Sequence, residues 1–193
     1  MSYRRGVNVQ AVTAGLLAGA IVCAPHAVAA QTVIGLPNTG TTTTLTASVS
    51  EQASVTLPAS VTFNVSNISG STNAATQTIS IQNIVLATAT KQLTISLIAN
   101  AASFSPPVAG AATWSASDVS WSAPGGGPNA WVNAVRNNGT LSSAAYTLVA
   151  TCNADTSSCS TTGFQMTLGP KTTVKRSGAH TLTVTWKFEA TGT

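Results

Sequence analysis

Residues 45–65 read LTASVSEQASVTLPASVTFNV. Every odd position except Glu51 is apolar or small: Leu45, Ala47, Val49, Ala53, Val55, Leu57, Ala59, Val61, Phe63 and Val65. Every even position except Pro58 is polar. Successive side chains of a strand point to opposite faces, so this alternation writes a sheet with one buried and one wet face. A typical strand has about 5–6 residues, and the run is several times longer. Glu51 interrupts the apolar face, and Pro58 lacks the N–H that a central strand donates. The run therefore divides into Leu45–Ser50, a bend near Glu51–Gln52, and a strand from Ala53 broken again near Pro58.

Working outward, the same period of two recurs. Ile79-Ser80-Ile81 starts a strand, and Ile84-Val85-Leu86 is a short apolar run. Leu93, Ile95, Leu97 and Ala99 alternate with Thr94 and Ser96. Val119-Ser120-Trp121, Ala145 to Cys152 and Phe164 to Leu168 read as further strands, and Ala130 to Val135 fits a strand or a helical turn. The chain closes on Leu182, Val184, Trp186, Phe188 and Ala190, alternating with Thr181, Thr183, Thr185, Lys187 and Glu189. Turn signals separate these runs, among them Ser105-Pro106-Pro107, the Pro124–Pro128 loop and Asn137-Asn138-Gly139, whose composition suits positive φ. No long segment has helical period. The expected fold is all-β: a two-sheet antiparallel sandwich, immunoglobulin-like in the broad sense, with a closed barrel as the alternative.

Arg4 and Arg5, an apolar stretch from Ala11 to Ala24, and small residues at 27–30 compose a secretory signal peptide over 1–30. Residues 31–44, rich in Thr, Asn and Gly, read as a flexible leader, and 45–193 as one β-sandwich domain. The expected location is secreted: periplasm, cell surface or extracellular space. No stretch after the signal is long and apolar enough to be a transmembrane helix. Beyond the signal, six Lys/Arg stand against four Asp/Glu with no basic stripe, which excludes a nucleic-acid partner.

Cys152 and Cys159, with six residues between them, form a disulfide in an oxidising compartment. In the chain-entropy picture a loop this short contributes about 2.5 kcal/mol. The candidate chemistry is sparse. A Ser/His/Asp arrangement would have to recruit His180, the single His after the signal, with Asp118 or Asp155. A glycosidase needs two placed carboxylates, and nothing in the spacing joins Asp118, Asp155, Glu51 and Glu189. Asp118 reads as a turn cap. There is no phosphate loop and no nucleophile elbow. No catalytic, cofactor or metal residues are assigned, and the chain reads as a non-enzyme. Of the four Trp, Trp186 and Trp121 sit on apolar strand faces and belong to the core. Trp114 and Trp131 flank loops and are the candidate ligand contacts: either an exposed pair that would stack on a carbohydrate, or rings packed at the rim of the sandwich.

The signal, Leu45-Thr46-Ala47-Ser48-Val49, Leu93-Thr94-Ile95-Ser96-Leu97, Val119-Ser120-Trp121 and Gly178 through Trp186 together resemble secreted bacterial subunits of the pilin type, including usher-assembled pilins and the spore coat protein U group. The resemblance implies a structural subunit whose N-terminal strand completes the sheet of a neighbour. The chain departs from the commoner members in lacking a Cys in its first strands. Independently of the family, a sandwich short of one strand exposes an apolar groove and an unpaired edge that an alternating peptide fills. Residues 41–50 suit that peptide; kept at home, they are the domain's own first strand. The expected function is an exported, non-enzymatic surface, matrix or filament subunit with protein partners. The alternatives are a carbohydrate-binding or adhesin module, and a secreted hydrolase.

Overall fold

The computed structural model describes residues 44–124 and 126–192. The signal-peptide assignment lies outside the described residues, as does the leader apart from Thr44. The chain divides into two compact units, Met1–Thr46 and Ala47–Thr193. Of the first, the described residues 44–46 carry no regular secondary structure. The second is the two-sheet antiparallel β-sandwich.

Its strands in chain order are β1 (Gln52–Thr56), β2 (Thr72–Asn73), β3 (Gln77–Val85), β4 (Gln92–Ala99), β5 (Val119–Ser122), β6 (Ala134–Arg136), β7 (Gly139–Thr140), β8 (Thr147–Cys152), β9 (Cys159–Leu168) and β10 (Val184–Thr191). One sheet runs β1-β3-β9-β5-β7, with β2 also paired to β9. The other runs β10-β4-β8-β6. All pairings are antiparallel. Alternation places Leu93, Ile95, Leu97 and Ala99 of β4 in the core, facing Ile79, Ile81 and Phe164 from the other sheet. Sandwich cores form this way because each strand offers one apolar face.

Three strands change phase midway: β3, β9, and β8, where burial passes from Val149 to Ala150 and Cys152 opposite the register shift at Ile95–Ser96. In β3 the buried set passes from Ile79 and Ile81 to Ile84. Asn83 lies in the left-handed region at φ 52°, and the β1–β3 register shifts between Gln52 and Ser54. One extra residue bulges out, so an apolar residue at an even position still faces inward. In β9 the buried set passes from Thr161 and Gly163 to Phe164, Met166 and Leu168, opposite the register shift at Gln77–Ile79.

The opening run folds only in part as its alternation predicts. Its centre is β1. Thr44–Glu51 forms no strand, and nor does residues 57–65. Leu57, Val61, Phe63 and Val65 nevertheless pack against the core, half-buried, without a ladder to support their backbone. Ala134–Arg136 resolves the choice between strand and helical turn in favour of a strand. Asn137-Asn138-Gly139 carries the chain from β6 in one sheet to β7 in the other, and none of the three has positive φ. Gly139 is needed for a different reason: a Cβ there would lie 2.4 Å from the Trp121 ring.

Candidate functional site

The two outer strands of the sandwich on one side are β1 and β10. β3 and β4 are joined by the short link 86–91; β1 is the outer neighbour of β3, and β10 the outer neighbour of β4. This side is an open seam. β10 pairs with β4 over all eight residues, from Val184↔Ala99 to Thr191↔Gln92, and with no described residue on its other edge. Among the described residues, no hydrogen bond joins it to β1 or to residues 57–65. Its inward residues Val184, Trp186, Phe188 and Ala190 are only half-buried, whereas their neighbours on β4 are almost fully buried. Trp186 reaches across the sandwich to meet the Phe164 ring edge-on at 5.8 Å. A row of apolar side chains left half-wet beside an unpaired backbone edge is what an added strand covers.

The chain enters the domain at this same side. Residues Ala47–Ser50 are exposed, with Val49 at 70 %. Glu51 then anchors the chain: its Oε1 accepts the Ala87 N–H at 2.7 Å and pairs with Lys91 Nζ at 2.9 Å. The Lys91 hydrogen bond, reinforced by the Ala87 N–H, holds the Glu51 carboxyl below its ordinary value of 4.5. The residue that broke the apolar alternation is thus the point at which the arm is tied to the link between β3 and β4. The alternation marked Glu51 as an exception but offered no partner, because Lys91 lies 40 positions away in sequence.

The sandwich is tied together further in, at β8 and β9, the inner neighbours of β4 and β3. Cys152 and Cys159 are disulfide-bonded, and the bond joins the end of β8 in one sheet to the start of β9 in the other. Beside it, Val132 and Ser160 exchange two backbone hydrogen bonds, and the Asn153 N–H donates to Asn133 O at 2.8 Å. Thr161 Oγ1 donates to Asn129 O at 2.7 Å.

Trp114 and Trp131 do not form an exposed pair. They are 5 % and 9 % exposed, which corrects the expectation of a stacking platform. Both lie under loops that wrap the ends of the sandwich, and indole area is buried wherever a loop can cover it. Trp114 donates its Nε1–H to Gly169 O and meets His180 edge-on at 5.1 Å. Trp131 lines a shallow cleft of about 480 Å³ with Pro124, Val135, Arg136, Asn137 and Asn138. Its buried Nε1–H has no hydrogen-bond partner among the described residues. Trp121 is core, as its strand face predicts, but Trp186 is half-buried because β10 has no outer neighbour.

The titratable groups are engaged structurally. Asp118 caps the 3-10 turn Ala116–Asp118: its Oδ2 accepts the Ser115 N–H and pairs with Lys171 Nζ, both at 2.7 Å. Glu189 pairs with Lys187 on the wet face of β10. Asp155 sits exposed in the loop between the cysteines at φ 53°. His180 shares a 2.7 Å hydrogen bond with Thr113 through Nδ1, and Nε2 donates to Arg176 O. Among the described residues, no three of His, Cys, Asp and Glu converge on a common point, and no helix is long and apolar enough to cross a membrane. No family model, curated protein or solved structure matches the chain.

Proposed function

We propose that this chain is an exported, non-enzymatic structural subunit of a cell surface, matrix or filament, and that it assembles by pairing its open seam with an extended strand from another copy. The observation that carries this reading is the asymmetry of β10: eight residues long, paired on one side only, with Trp186 and Phe188 half-exposed beneath it. Residues 41–50 of a second copy supply the matching strand, since Val49 and Ala47 alternate with Ser48 and Ser50. A strand seated there satisfies the free edge and covers the apolar row together, at about 25 cal/mol per Å² of apolar surface removed from water. The pilin-type resemblance of the strand sequences supports the same reading.

The test is sedimentation of the exported chain over a wide concentration range, beside a chain lacking residues 31–50. The full chain is expected to form larger species as concentration rises, and the shortened chain to stay a folded monomer. A full-length chain that remains monomeric at the highest attainable concentration overturns the proposal. The cleft beside Trp131, with the Arg136 guanidinium and two Asn side chains, favours carbohydrate binding as the second reading. Flat binding of the folded chain across a glycan array removes it.

A further inference from the structure

Two parts of the chain meet at Lys91. Its Nζ holds Glu51, the root of the arm. Gly192, just past β10, runs beside its backbone: a Cβ on Gly192 would lie 3.4 Å from Thr90 O and 3.6 Å from Lys91 Cα. The arm, residues 47–50, therefore leaves Glu51 next to the C-terminal end of β10, the strand paired on its β4 edge alone among the described residues. Traced backwards from Glu51, the arm passes Ser50, Val49, Ser48 and Ala47. Traced backwards from Gly192, β10 passes Thr191, Ala190, Glu189 and Phe188. An arm laid along β10 from this root runs parallel to it. Parity also agrees, with Ala47 and Val49 falling on the side of Phe188 and Ala190, and Ser48 and Ser50 on the side of Lys187 and Glu189. A slip of one residue would turn both apolar side chains to water, and a slip of two would not.

We propose that the arm, exposed in this structure, has a second position in the unassembled chain, laid over its own β10 as a parallel strap, and that in this position it holds the seam shut until another copy displaces it. The inference rests on the reading of β10 as the assembly edge. Tethering gives the arm an effective concentration of order millimolar at its own seam, so closure within one chain prevails in dilute solution. The tether permits only the parallel sense, which is slightly less stable per residue than antiparallel pairing. An arm from a second copy enters in either sense, so rising concentration favours exchange.

Two full-length double variants test the strap: Ser48→Cys with Glu189→Cys, and Ser48→Cys with Lys187→Cys. They cover two registers of equal parity on the wet face. Oxidised in dilute solution, one of the two is expected to close a disulfide within a single chain, read by mass and by mobility without reductant. The locked chain is then expected to assemble about tenfold less than its unlocked form. Unlocking needs only a mild reductant, because the native Cys152–Cys159 pair is buried. Disulfides that form only between chains, or neither pair closing while the unmodified chain still assembles, overturn the strap and leave the assembly reading intact. An unmodified chain that never assembles overturns the assembly reading itself, and the strap's role with it.

Discussion

Two regions of this sandwich share strand chemistry and differ in how they are completed. At its interior, β8 and β9 are joined by a disulfide, the Val132–Ser160 bridge and the Asn133–Asn153 bond, and Cys152, Cys159 and Thr161 are at most 2 % exposed. At the seam, β1 and β10 each lack an outer partner among the described residues, and Phe188, Trp186 and Phe63 stay half-wet. Both regions carry alternating Thr/Val-type strands. Completeness is therefore a property of neighbours and not of strand composition, and an incomplete side is where a β-domain offers affinity to another strand.

The sharpest way to break this contrast is to remove in turn a fully buried ring and the half-buried seam ring that it meets. Phe164→Ala, at a site with no exposure, is expected to cost about 3–5 kcal/mol in denaturant unfolding. Trp186→Thr is expected to cost roughly half of that, since its ring is already part-exposed, yet to abolish concentration-dependent assembly. Equal stability losses at the two sites would mean that the seam is as closed as the core. Next comes the staple: Cys152→Ser with Cys159→Ser is expected to lower unfolding stability by about 2.5 kcal/mol and leave assembly unchanged. An assembly defect in that variant, under conditions where it is still folded, would show that the two regions are coupled.

Gly139→Ala is expected to cost about 1–3 kcal/mol, because the new Cβ meets the Trp121 ring. Indole fluorescence and thermal unfolding would register it, and a neutral result would mean that the ring has room to move. The smallest effect is expected at the arm's root. Glu51 is depressed in the folded state, so its contribution is fully present above its unfolded value and is lost as pH falls through the lower folded value. The Ala87 amide resonance should therefore shift as pH drops below the ordinary 4.5, and stay fixed in Glu51→Gln. A pH-independent Ala87 signal in the native chain would remove the anchor.

Much of the sandwich was legible because alternation is a local signal. Leu93–Ala99 and Val119–Trp121 keep one parity throughout, and both fold as read. The reading weakened where parity was preserved but partners were missing. Residues 57–65 alternate as cleanly as β4 does, yet they find no ladder. Pairing depends on which backbone comes alongside, and side-chain period carries no record of that. Trp114 and Trp131 were misread for a related reason. Proximity to loops in sequence suggested exposure, while the loops fold over the rings. Asp118 was legible as a cap because its partner, the Ser115 N–H, is three residues away. Lys171, 53 residues distant, was not.

By itself, the sequence determined the inward face of strands such as β4, that the fold is all-β, and that two cysteines lie close enough along the chain to pair. These follow from periodicity and short separation, which act along the backbone. Only the tertiary structure decided that the inner strands β8 and β9 are stapled while the outer edge of β10 is left open, that Glu51 ties the arm to Lys91, and that the arm's root lies against the end of β10. Those facts depend on contacts between residues tens of positions apart, fixed by strand order and packing after the local signals are spent.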